Sequence, residues 1–199
     1  MNIAPSHLVF LVGTLAYLVI RGFYLRKASA QTKSVSKSTA GDRLLILLVG
    51  LAQVGLPLLL VFTPWLNRAN YTLPAASIWL GIPTMLGALW LFWRAHADLG
   101  DSWSVTLELN NTHHLVTRGV YSVIRHPMYA SFFALGISQA LLLNNAVAGW
   151  AALLAVGLLY RVRVPHEERM MVEAFGSEYL AYMQRTGGIV PRQITTTNS

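Results

Sequence analysis

Two short polar stretches of this 199-residue chain hold the side chains best suited to chemistry. One is Arg125-His126-Pro127, a cationic, titratable pair and a helix-starting proline set directly before an apolar run, 128–143. The other is R-V-R-V-P-H-E-E, 161–168, which follows the next apolar run and brings Arg163, Glu167 and Glu168. The chain has no cysteine, which excludes thiol nucleophiles, disulfides and Cys-ligated metals. His96, His113, His114, His126 and His166 lack the clustered HxxHH spacing of a membrane di-iron centre. What remains is a set of cations, carboxylates and aromatics at the mouth of a greasy helix.

Each feature alone has a plainer reading. Arg125-His126-Pro127 fits an interfacial helix start, with Arg at the headgroups and Pro at the first helical position. Glu167-Glu168 fits a first-turn pair that complements a helix dipole. Tyr121 and Tyr129 fit an interface belt, His113-His114 a solvated loop, and Arg163 an inside-positive anchor. Their convergence on one small surface is what favours a site.

The elements that must position them are membrane helices. Apolar residues make up 54% of the chain and charged ones only 12%, about half the share of a soluble domain. The mean hydropathy is +0.48. The length fits a single domain, 1–199. The run 4–20 has no basic stretch ahead of it and no clear cleavage site after it, so it reads as a retained first span. Long apolar runs predict spans at about 5–25, 43–66 and 74–97. The 35 residues 128–162 are too long for one span and are broken by Asn144-Asn145, which predicts a tight hairpin of 128–143 and 146–162. Pro165 and the terminal Gly187-Gly188 predict a separate cytoplasmic helix over about 165–185, with an apolar stripe at Met170, Met171, Ala174, Phe175 and Tyr179.

The expected fold is therefore all-α and polytopic, with five transmembrane helices. A cytoplasmic face is formed by the 99–128 segment and the C-terminal helix. The basic balance, 15 Lys+Arg against 8 Asp+Glu, is not gathered on one face as nucleic-acid binding requires. It follows the loops instead. Arg26, Lys27, Lys33, Lys37 and Arg43 fall in the first loop and only Arg68 in the second. Arg94, Arg118 and Arg125 belong to the third, none to the Asn144-Asn145 turn, and Arg161, Arg163, Arg169, Arg185 and Arg192 to the tail. This alternation predicts an N-terminus outside and a C-terminus in the cytoplasm. A hairpin joins its ends, so His126 and Pro127 should meet Arg163 and Glu167.

The run H-H-L-V-T-R-G-V-Y-S-V-I-R-H-P-M-Y, 113–129, resembles the signature of the isoprenylcysteine carboxyl methyltransferase family. So do R-V-P-H-E-E at 163–168, F-G-S-E-Y-L-A-Y at 175–182 and D-L-G-D-S-W-S at 98–104, in order and with compatible spacing over about 100 residues. The resemblance implies an enzyme that uses S-adenosylmethionine inside a membrane, of the inner-membrane or endoplasmic-reticulum type. It implies methylation of the carboxyl group of an isoprenylcysteine-like, lipophilic or prenylated substrate among membrane lipids. His113, His114, Leu115, Val116 and Tyr121 would line the cofactor. His126, Pro127, Met128 and Tyr129 would form a second wall, and Glu167 would take the cofactor's amino group. Arg163 would face the substrate carboxylate, with Arg125 for structural support or substrate charge. One departure is Gly188, where many members carry Arg. Three alternatives stay open. A phospholipid N-methyltransferase would need a base such as His126 or His114. An NADPH-dependent membrane reductase would use Arg161, Arg163 and Arg169 on a phosphate. A non-catalytic membrane adaptor would bind no cofactor. No metal and no nucleic acid is expected, and the oligomeric state is left open.

Overall fold

The structure, a computed structural model, describes residues 4–31, 40–100 and 115–192. Helix α1 is Pro5–Gln31. Helix α2 (Ala40–Gly50), a π turn (Leu51–Gly55) and α3 (Leu56–Phe62) run on as one apolar stretch. Helix α4 is Ala76–Leu99, α5 Pro127–Leu143 and α6 Ala146–Arg185. The stretches 5–27, 40–62, 76–99 and 146–185 are long and apolar enough to cross a membrane, and α5 is apolar but shorter, at 17 residues. At 1.5 Å per residue α5 is about 26 Å long, near the thickness of a bilayer's hydrocarbon core. Helix α6, with 40 residues, is twice what crossing needs, so its residues beyond about 165 lie past the membrane.

The core lies where α4 meets α5. Met85, Ala88 and Phe92 pack against Leu135, Leu142 and Leu143, with Phe10 and Tyr17 of α1 alongside. Trp79, Leu80, Trp90 and Leu154 are exposed, as lipid-facing side chains should be. Two polar side chains of α5 at membrane depth bond to backbone, because lipid offers them no partner. Ser138 Oγ donates to Gly81 O at 3.0 Å. The buried Gln139 amide donates to Ala52 O at 2.9 Å and to Ala148 O. Ala52 sits in the π turn, whose shifted hydrogen bonding leaves a carbonyl for a neighbouring helix.

The hairpin forms as its sequence predicts. Asn144 closes α5 in the left-handed region (φ 49°), and Asn145 caps α6, its Oδ1 accepting from Val147 N (3.0 Å) and Ala148 N (2.8 Å). Two boundaries differ from expectation. The second span ends at Phe62, not near 66, because Thr63 precedes a proline and turns extended. The cytoplasmic helix does not start afresh at Pro165; α6 runs through it. Proline removes one N–H and frees the carbonyl four residues back, that of Arg161. Both residues are exposed near the membrane edge, where water can take that bond. The break comes at Gly176 instead, at φ 52°, ψ −126°, a conformation open to glycine and strained for other residues.

Candidate active site

The open end of the α5–α6 hairpin is set by register. Helix α5 presents His126, Tyr129 and Phe133, spaced i, i+3, i+7, and α6 presents Tyr160, Arg163 and Glu167 at the same spacing. Residues so spaced share a helix face, and antiparallel packing brings the two sets together. Tyr129 Oη donates to Glu167 Oε1 at 2.6 Å, and Arg163 Nε lies 3.4 Å from the same oxygen. His126 Nδ1 stands 3.9 Å from Glu167 Oε2, while its Nε2 is 3.0 Å from Glu168 Oε1. The Tyr160 ring lies 5.6 Å from that of Tyr129, 5.8 Å from Phe133 and 6.3 Å from His126, each pair edge to face.

A second network holds this end closed. Arg125 donates to Glu168 Oε1 through Nε (3.1 Å) and Nη2 (3.0 Å), and through Nη1 to Met183 O (3.2 Å) and Thr186 O. All three guanidinium nitrogens are thus engaged. The hydrogen bond from His126, then that from Arg125, holds the Glu168 carboxyl below its usual range despite partial burial. The backbone completes the clamp: Arg125 N donates to Gly187 O (2.8 Å) and His126 N to Gly188 O (3.1 Å).

The loop before α5 is tied at both ends. Asp98 Oδ2 accepts from Val120 N at 2.9 Å, and Asp98 Oδ1 pairs with Arg94 at 2.6 Å. Gly119 sits at φ 60°, where a Cβ would meet Asp98 Oδ2 at 2.1 Å, so both backbone and space demand glycine. Tyr121 is buried, donates to Ala95 O (3.3 Å) and offers its own carbonyl to Tyr182 Oη (2.6 Å). Burial pushes the Tyr121 phenol well up, which keeps it a neutral donor.

Of the residues singled out in the sequence, Arg125, His126, Tyr129, Arg163 and Glu167 meet in one cluster. Pro127 is buried beneath it as the first residue of α5, and Met128 is half-buried beside it. Tyr121 is one loop away. Leu115 and Val116 are half-buried at the start of the described loop, and His113 and His114 lie outside the described residues. The sequence reading passed over Tyr160, because one aromatic in an apolar run has the look of a lipid-facing residue; its i, i+3, i+7 relation to Arg163 and Glu167 was the available signal. Asp98 was noted only as part of a motif, and its capping of Val120 depends on a contact 22 residues away. Among the described residues no group of three or more His, Cys, Asp or Glu could hold a metal ion.

Fold and site define a polytopic, all-helical membrane protein with a charged, aromatic-walled site at the open end of a helical hairpin. A profile of the isoprenylcysteine carboxyl methyltransferase (ICMT) family matches residues 79–173, a little under half of this chain. Protein-S-isoprenylcysteine O-methyltransferase B of Arabidopsis thaliana is 35% identical over 79 residues, 40% of this chain and 40% of that one. The human protein-S-isoprenylcysteine O-methyltransferase is 40% identical over 78 residues, 39% of this chain and 28% of its own length. The match therefore spans less than half of either relative. A solved structure of the eukaryotic intramembrane Ras methyltransferase ICMT superposes with a TM-score of 0.63 at 26% identity, covering 94% of this chain and 68% of that chain.

Proposed function

We propose that this protein transfers a methyl group from S-adenosylmethionine to the carboxylate of an isoprenylcysteine-like, lipid-anchored acceptor. The observation that carries this reading is the meeting of Glu167, Arg163 and Tyr129 at the hairpin's open end, polar on one side and aromatic on the other. The donor set fits the cofactor. Glu167 Oε2 has no closer polar contact than His126 Nδ1 at 3.9 Å among the described residues, which leaves it able to accept from an ammonium group. Tyr129 and His126 stand directly beside it, and Tyr160 packs against both of their rings. S-adenosylmethionine, when bound, supplies a methyl group carried on a positively charged sulfur.

The chain's residues then bind and orient. Glu167 takes the amino group. His126, Pro127, Met128 and Tyr129 form one wall, and the loop from Leu115 and Val116 to Tyr121 the other. Arg163 touches Glu167 through Nε, which leaves the outer guanidinium nitrogens for paired bonds to an acceptor carboxylate. That carboxylate is already ionised at neutral pH, so no base is needed and positioning supplies the rate. Arg125, with every guanidinium nitrogen engaged, acts as a positioning residue. An amine acceptor would instead need a base, and both His126 nitrogens already face carboxylates. The alternation of Lys and Arg supports a site facing the cytoplasm, with the N-terminus outside, in an inner membrane or the endoplasmic reticulum. The site is thus where a polar cofactor from the cytoplasm can meet an acceptor held in lipid.

The test is calorimetry on detergent-purified protein, with S-adenosylmethionine and separately NADPH, for wild type and Glu167→Gln. Wild type should bind S-adenosylmethionine and not NADPH. Glu167→Gln should bind it about ten- to a hundred-fold more weakly, the worth of one charge-assisted hydrogen bond, with its melting temperature little changed. Unchanged affinity in the variant would sink the assignment.

A further inference from the structure

We infer that Tyr160 is a cofactor-recognition residue, whose ring selects the cationic sulfur of S-adenosylmethionine over the neutral sulfur of its demethylated product, S-adenosylhomocysteine. This rests on the methyltransferase reading above and adds a residue that no motif in the sequence marks.

Three observations carry it. First, Tyr160 is the hub of the aromatic cluster: His126, Tyr129 and Phe133 all have ring centroids within 6.3 Å of its own, at interplanar angles of 69° to 89°. Second, the rings differ in access. His126 and Tyr129 are each only 8% exposed and have their polar atoms bonded to Glu168 and Glu167, whereas Tyr160 is half-buried, so part of it stays accessible. Third, the rim beside it lacks a side chain. A Cβ on Gly188 would stand 3.2 Å from Tyr160 Oη, so glycine there leaves the edge of the ring uncrowded.

The chemistry follows from charge. An aromatic face attracts a cation within about 6 Å of its centroid, and the attraction grows once water is excluded. Glu167 and Glu168 bond to the neighbouring Tyr129 and His126, and each has an arginine beside it, Arg163 and Arg125, so the attraction rests on the ring itself. Methyl transfer removes the positive charge from sulfur. A wall that favours the charged form therefore holds the donor and relaxes its grip on the product.

The experiment measures the dissociation constants of both ligands for full-length wild type, Tyr160→Phe and Tyr160→Leu. Tyr160→Phe keeps the ring and should keep the preference for S-adenosylmethionine. Tyr160→Leu should weaken S-adenosylmethionine by about three- to thirty-fold and S-adenosylhomocysteine by less than about two-fold. Equal weakening of both ligands, or of neither, overturns the inference. If Tyr160→Leu does not fold, stepwise fluorinated phenylalanines at position 160 drain the ring's negative face at nearly constant shape. S-adenosylmethionine affinity should then fall with each fluorine while that of the product stays flat, and parallel behaviour would again refute the role. Wild type that binds neither ligand fails the methyltransferase reading itself, an outcome distinct from a lost preference in the variants.

Discussion

The two ends of the α5–α6 hairpin do the same mechanical work with opposite chemistry. At the turn, Asn145 is completely buried and its amide donates to Leu66 O (2.8 Å) and Asn70 Oδ1 (2.7 Å). Tyr71 N donates to Asn144 O (3.0 Å), and Trp150 Nε1 to Tyr71 Oη (3.2 Å). These hydrogen-bonding groups are neutral, and each named donor has an acceptor. At the open end Arg125 and His126 tie the start of α5 to Glu167 and Glu168 of α6, and Arg163 pairs with Glu167 within α6. A neutral knot suffices to hold a hairpin, so charge at the other end needs a reason beyond holding. Ion pairs at a membrane edge are costly to desolvate and weak as fasteners, but they can be re-partnered by a charged ligand.

The comparison can be broken in four ways. The largest effect is expected from Arg163→Ala, which should lower kcat/KM for a prenylated cysteine acceptor by about ten- to a hundred-fold while sparing cofactor affinity; turnover equal to wild type would remove Arg163 from the substrate side. At the neutral end, Asn145→Ala should cost about 2 kcal/mol of stability, combining a lost helix cap with an orphaned carbonyl. Thermal melts should show this drop, with S-adenosylmethionine affinity changed less than about two-fold well below the melting point. Gly119→Ala should cost about 1–2 kcal/mol through its positive φ and should also loosen the loop that Asp98 caps, read as faster proteolysis near residue 118. The smallest effect separates the two ends by pH. Glu168 has a depressed pKa in the folded protein, so its stabilisation is present in full above the ordinary carboxylate value, about 4.3. It is lost as pH falls through the depressed value. Glu168→Gln should flatten the acid limb of melting temperature against pH, and Asn145→Ala should leave that limb's shape intact.

Much of this was legible before any coordinates. Hydropathy located the spans, since lipid demands long apolar runs, and Asn144-Asn145 marked the hairpin that predicts His126 near Arg163 and Glu167. The site was legible because its charges stand out against so few others. The π turn at Leu51–Gly55 was not, because a one-residue shift in hydrogen bonding leaves no trace in composition. The continuity of α6 through Pro165 was hidden for another reason: a proline that opens a helix and one tolerated inside it read alike until the fate of the freed carbonyl is known. Arg125 and Arg163 are likewise equal as letters. Only the carbonyls of Met183 and Thr186, contributed by the far end of α6, occupy one and not the other.

That last contact has a consequence for biosynthesis. Arg125 and His126 find their backbone acceptors at Gly187 and Gly188, more than 60 residues later in the chain. A ribosome delivers the membrane helices in order, and each can insert as it emerges. The backbone donors of Arg125 and His126 must wait for these partners until residue 188 has been made. A chain halted between about 170 and 185 would carry the described crossing helices and both glutamates without the strap that fixes His126 in place. Insertion of the helices and closure of the site are therefore separable stages in the life of this polypeptide, and synthesis of residues 186–188 is what joins them.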